Sequence, residues 1–97
     1  MADTIHDKIA KRLARKFGTE YKSDKGIDIV TAEKVIEVET KKQSLSQGIK
    51  QVQRSQKPRY LAVTKQLKNA AIKITEGSGI GVMGPTGVIV KKASRKK

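Results

Sequence analysis

Asp28, Glu37, Glu39 and Lys41 are the residues of this chain whose types and spacing point most directly to chemistry. Side chains alternate faces along a strand. In Val35-Ile36-Glu37-Val38-Glu39-Thr40-Lys41 the two glutamates and the lysine therefore share one face, and Ile36 and Val38 share the other. Gly26-Ile27-Asp28-Ile29-Val30 is a second β-branched run, joined to the first through Thr31 to Lys34, and the two read as a hairpin. Asp28 then lies opposite Glu37 or Glu39, depending on the turn, with Ile27 and Ile29 on the apolar side. Directly opposed like charges destabilise a strand pair, so three gathered carboxylates call for a compensating cation. Carboxylate oxygens are hard donors and suit Mg²⁺ or Mn²⁺. Such an ion bridges carboxylate to phosphate, activates a water and stabilises charge on a scissile phosphate. A lysine beside it orients the water or neutralises that charge. The same alternation also serves any hairpin with one wet face, so the spacing admits both readings.

These residues need elements to hold them. Ile5, Ile9, Leu13 and Phe17 recur every four residues, with Ala10 and Ala14 beside them, and predict a first helix. Asp3 or Thr4 caps its start and Gly18 ends it. Thr19 to Lys22 reads as a short strand and Ser23 to Gly26 as a polar loop. After the hairpin, Ser44 to Gln56 predicts a second helix with Leu45, Ile49 and Val52 inward, stopped by Pro58. Tyr60 to Thr64 is an apolar strand, and Leu67 to Thr75 a third helix. Gly79 to Met83 and Val88 to Val90 form a last hairpin around Gly84-Pro85-Thr86-Gly87. The order αβββαβαββ describes one α/β domain over residues 1–93, a mixed central sheet flanked by helices, followed by a mobile basic tail at 94–97. Gly79 to Gly84 matches G-x-G-x-x-G literally, yet it follows a helix and opens a strand, the reverse of what a dinucleotide fingerprint requires.

Composition narrows the partners. The chain has 97 residues, 22 basic and 9 acidic, for a net charge of +13. Residues 1–40 hold eight of each sign, whereas residues 41–97 hold fourteen basic residues against Glu76 alone. A positive field of that density attracts nucleic acid. Expected phosphate contacts are Lys22 and Lys25 in the loop, and Lys42, Lys50, Arg54, Lys57 and Arg59 on and after the second helix. Lys65, Lys68, Lys73, Lys91, Lys92, Arg95, Lys96 and Lys97 follow on the third helix and tail. With three aromatic residues in all, base stacking is not the main mode. The absence of Cys excludes disulfide scaffolds, zinc ribbons and thiol nucleophiles. No apolar run is long enough to span a bilayer, and residues 1–17 lack the apolar core of a signal peptide. A membrane partner is therefore not expected, and an intracellular, cytoplasmic, DNA-associated place is. The last hairpin, with Ile80, Val82, Met83, Val88 and Ile89, is either core or the interface of a symmetric homodimer.

The Asp28 run followed by Glu37-Val38-Glu39-Thr40-Lys41, between two helices, resembles the core of the PD-(D/E)XK nuclease superfamily. The nearest likeness is to archaeal Holliday junction resolvases and related small recombination nucleases. That resemblance covers residues 4–64 and implies a restriction-endonuclease-like core: a helix, a three-stranded antiparallel meander carrying the acids, a helix and a further strand, here with an extra helix and a C-terminal hairpin. It implies Mg²⁺- or Mn²⁺-dependent endonucleolytic hydrolysis of double-stranded or branched DNA, with the metal held by Asp28 and a second acid. It also implies a supporting glutamine, Gln51, with Gln47 the neighbouring candidate. The chain departs from the pattern in two ways. Read as acid-x-Lys from Glu37, the strand puts Glu39 where the lysine belongs; read from Glu39, Lys41 is the lysine and Glu37 an extra acid. The metal-linked glutamate of the first helix is missing, leaving Asp3, His6 or Asp7. His6 falls within the Ile5–Ile9–Leu13 arc, as in exonuclease relatives, whereas Asp7 is expected to face solvent. The rival expectation is a nucleic-acid-binding protein that keeps the nuclease fold without turnover.

Overall fold

Thr4 opens the first helix, α1 (Ile5–Lys16), by accepting a hydrogen bond from the Asp7 N–H at 3.1 Å. Asp7 in the first turn and Arg15 and Lys16 in the last suit the helix dipole. Ile9, Ala10, Leu13 and Ala14 are buried along one side, as the four-residue periodicity requires. In this computed structural model the described residues are 4–21 and 27–94. The loop lysines Lys22 and Lys25, Asp3 and the tail residues Arg95, Lys96 and Lys97 lie outside them. Ser94 is tied down, its N–H bonded to the Gly79 carbonyl at 2.9 Å.

The strand expected at 19–22 does not form over Thr19 to Tyr21. The Thr19 hydroxyl instead donates to the Val30 carbonyl at 3.1 Å, and Tyr21 turns back onto α1. The antiparallel meander is therefore a two-stranded hairpin among the described residues: β1 (Ile29–Val30) and β2 (Val35–Glu39). Thr31 builds its turn, accepting from the N–H groups of Glu33 and Lys34 through its hydroxyl. Ile29 faces Ile36 and Val30 faces Val35, so the register carried one step further sets Asp28 against Glu37.

The chain then forms α2 (Leu45–Gln53), β3 (Arg59–Val63), α3 (Lys68–Ile74), β4 (Gly81–Met83) and β5 (Ile89–Lys91). The sheet order is β1-β2-β3-β4-β5. The central strands β2, β3 and β4 are parallel, and the two edge strands are antiparallel to their neighbours. Parallel strands joined by helices are buried on both faces, and the core divides accordingly. On one face α1 packs against Ile29, Ile36, Val38, Tyr60, Ala62 and Met83. On the other, Leu45 and Val52 of α2 and Ala71 of α3 pack against Val35, Leu61, Val63, Ile80 and Val82. Ile27 joins this second cluster and not Ile29's, because regular alternation stops where β1 begins. The fold is a small three-layer α/β domain with a five-stranded mixed sheet.

In the last hairpin Ile80, Val82 and Met83 are buried, which favours the core reading for them, while Val88, Ile89 and Val90 are exposed. The glycine-rich run leads into β4, with no helix after it. Gly87 closes the turn at φ +90°, and a Cβ there would stand 2.9 Å from the Lys16 Nζ and 3.2 Å from a Leu13 methyl. A glycine satisfies both the left-handed backbone and that close approach. Lys16 in turn donates to the Thr86 carbonyl at 2.9 Å, locking α1 to the turn. Among the described residues no helix is long and apolar enough to cross a membrane.

Candidate active site

β1 is only two residues long, so the N–H of Val38 extends beyond its ladder. The Asp28 side chain takes that place: its Oδ2 accepts from the Val38 N–H at 3.0 Å. Glu37 returns the exchange, its Oε1 accepting from the Asp28 N–H at 3.0 Å. At the open end of the hairpin, Asp28 is thus fixed to the Val38 backbone and Glu37 to the Asp28 backbone.

Glu37 and Glu39 project from β2 on the side of Val35, toward α2. A half-exposed hairpin would leave them in water, but α2 covers this side, and Asp28, Glu37 and Glu39 are only 8%, 9% and 8% exposed. Gly48 makes the cover possible. A Cβ at that position would lie 2.7 Å from the Glu39 Oε2 and 2.8 Å from its Cγ. A glycine inside a helix costs about 1 kcal/mol relative to alanine, and here the close passage of Glu39 accounts for it.

Burial raises the pKa of all three acids. For Glu37 burial is the largest cause and the charge of Asp28 the next, and its carboxyl is pushed up to about 8. Asp28 is raised by burial against the opposing pull of the Val38 N–H and His6. Glu39 is raised by burial and by Asp28, with the Ser44 hydroxyl pulling the other way. Among the described residues no lysine or arginine pairs with any of them; the His6 ring reaches the cluster, its Nε2 lying 3.1 Å from the Asp28 Oδ2. Each of the three carboxyls therefore holds a proton more tightly than it would in water.

His6 is half-buried, as its place on the α1 arc implies. Its Nδ1 lies 3.4 Å from both the Asp7 Oδ1 and the Tyr21 hydroxyl. Asp7 does not simply face solvent: the Tyr21 hydroxyl donates to its Oδ1 at 3.0 Å. That bond is the main cause holding the Asp7 carboxyl below its usual range. Burial and the same bond push the Tyr21 phenol up. Tyr21, Asp7 and His6 form a chain that ends on Asp28. Sequence reading missed Tyr21, whose only signal was a lone aromatic near the site loop, and missed Gly48, marked by a glycine at the centre of a helix.

The remaining candidates fall in different places. Lys41 lies beyond the end of β2, exposed, its side chain without a hydrogen bond or ion pair among the described residues. It lines a cleft with Thr4, His6, Thr40, Thr64 and Gln66. Gln51 is half-buried, almost one turn after Gly48, while Gln47 is exposed. Lys42, Lys50 and Arg54 are exposed on and beside α2. Lys57 and Arg59 are spent on the fold, donating to the carbonyls of Thr31 at 2.7 Å and Ser78 at 3.2 Å. Among the described residues no three His, Asp or Glu side chains converge closely enough to enclose a metal ion. Comparison with protein-family models, with curated proteins and with solved structures finds no match.

Proposed function

We propose that the chain is a divalent-metal-dependent endonuclease of the PD-(D/E)XK kind, acting on duplex or branched DNA inside the cell. One observation carries this reading: Asp28, Glu37 and Glu39 are all buried at the hairpin, Asp28 and Glu37 joined through the Asp28 N–H and Glu39 lying against a glycine of α2. The order of α1, the β1–β2 hairpin, α2 and a β3 parallel to β2 supports a restriction-endonuclease-like core, one strand fewer among the described residues.

The donor set fits Mg²⁺ or Mn²⁺ in its chemistry. Mg²⁺ usually takes one or two protein carboxylates and completes its shell with water and substrate phosphate oxygens, so a full protein cage is not needed. Asp28 and Glu37 would hold the ion, with Glu39 beside them in the lysine position. When bound, it would polarise the phosphate and lower the pKa of a water. His6 would orient the Asp28 carboxylate, fixed in turn by Asp7 and Tyr21. Lys41, at the cleft mouth, would meet a phosphate, and Gln51 would support the α2 side. A homodimer would bring two such sites to one junction, and the exposed Val88, Ile89 and Val90 are an apolar strip available for it.

The test is cleavage of a labelled four-way junction and of linear duplex with Mg²⁺, Mn²⁺ or EDTA. Cleavage with metal and none with EDTA is expected; binding without cleavage under either metal contradicts the reading. That second outcome would favour a nucleic-acid-binding protein without turnover, which Lys41 in solvent and Glu39 in the lysine position support. Gly48→Ala separates site from fold. Its methyl drives Glu39 from its place, while the gain in helix propensity of about 1 kcal/mol offsets the crowding. Cleavage should fall at least about tenfold, worth about 1.4 kcal/mol of barrier, with a urea midpoint close to that of the wild type.

A further inference from the structure

The neutral charge balance of residues 1–40 conceals a segregation that the fold makes visible. Of the eight acids there, Asp28, Glu37 and Glu39 are buried in the site, and Asp7 is engaged by Tyr21. The bases are not hidden with them. Lys8, Lys11, Arg12, Arg15 and Lys16 follow the helical spacing and together line one shallow depression along the outer side of α1. Lys8, Arg12 and Arg15 are exposed, and their side chains make no hydrogen bond or ion pair among the described residues. Lys8 and Arg12 are like charges four residues apart, an arrangement that destabilises a helix unless an anion answers it.

We propose that this side of α1 is a second binding surface for the phosphate backbone of duplex nucleic acid, separate from the basic side of α2, so that one molecule holds two duplex segments. From Lys8 to Arg15 the stripe runs about 10 Å. A strand of duplex presents one charge per ~3.4 Å of axis, so the stripe faces about three successive phosphates. α1 lies on one face of the sheet and α2 on the other. Lys50 and Arg54 therefore point away from Lys8, Arg12 and Arg15 across three layers, each roughly 10 Å deep, and a straight duplex meets one side or the other. An anionic membrane fits less well, because the apolar side of α1 that would insert is already packed into the core.

The test uses the full chain, short linear duplexes and EDTA, so it is independent of turnover and of the nuclease reading. Stoichiometry is measured by titration at low salt, per chain. Two duplexes per chain are expected for the wild type. One is expected for the triple variant Lys8→Gln, Arg12→Gln, Arg15→Gln, and one for Lys50→Gln with Arg54→Gln. The triple variant should also lower the slope of log affinity against log salt by about two to three, summed over both duplexes. A wild-type stoichiometry of one, or a triple variant that still binds two, overturns the proposal. So does an effect of the triple variant confined to vesicles containing phosphatidylserine. The three substituted side chains are exposed, and an unchanged melting temperature verifies that each variant is folded.

Discussion

Asp28→Asn is expected to lower metal-dependent cleavage by roughly a hundredfold or more while leaving the protein folded. The two halves of that expectation have separate causes. The Asp28 Oδ2 accepts from the Val38 N–H at 3.0 Å, and an asparagine carbonyl accepts the same bond, so the open end of the hairpin keeps its partner. The amide removes the negative charge that would neutralise a cation and that raises the Glu37 pKa. Ion binding would be lost for want of charge, and several kcal/mol of transition-state stabilisation would go with it. Asp28→Ala is the poorer variant, because it also strands a buried N–H, at about 1–3 kcal/mol. Cleavage rates and urea midpoints measured side by side check both halves. A variant that cleaves as the wild type does removes Asp28 from the chemistry.

The second large effect is on stability against pH. Glu37 has a carboxyl raised from the ordinary 4.5 to about 8, and Asp28 and Glu39 are raised as well. Between those values the folded chain holds a proton on Glu37 that the unfolded chain has released. Stability therefore falls as pH rises from 4.5 to about 8, by about 1.4 kcal/mol per pH unit for one such group at most. Below that window the carboxyl is protonated in both states and the penalty vanishes; above it the full penalty stands. Urea unfolding at pH 5, 6, 7 and 8 should show the decline. Glu37→Gln should flatten it and raise stability at pH 8, since a neutral amide replaces a buried charge. A profile equally steep in the variant contradicts the assignment.

Much of this site could be read from residues alone, for an identifiable reason. The alternation of Val35 to Glu39 has only one pairing face that buries Ile36 and Val38, and so Glu37 and Glu39 had to share a side. The apolar positions of α1 fixed where His6 would stand. What could not be read depends on distant contacts. Nothing local in β2 tells that α2 lies over Glu39, because that cover depends on Gly48 at another point in the chain. Thr19 to Tyr21 has the composition of a strand but forms no ladder among the described residues, and the Tyr21 hydroxyl donates to Asp7 instead. Lys57 and Arg59 look like any exposed cations until the carbonyls of Thr31 and Ser78 are seen to accept them. Counting charge by halves of the chain obscured the basic side of α1, because burial takes Asp28, Glu37 and Glu39 from the surface and leaves Lys8, Arg12 and Arg15 on it.

Calorimetric titration of Mn²⁺ into the metal-free protein near pH 7.5 addresses the central claim directly. Run in two buffers of different ionisation enthalpy, it reads binding and proton release together. Saturable binding to the wild type, with protons leaving the buried acids, and its loss in Asp28→Asn is the outcome expected here. An absence of binding heat, or equal heat from both proteins, would mean that the buried acids are not a cation site.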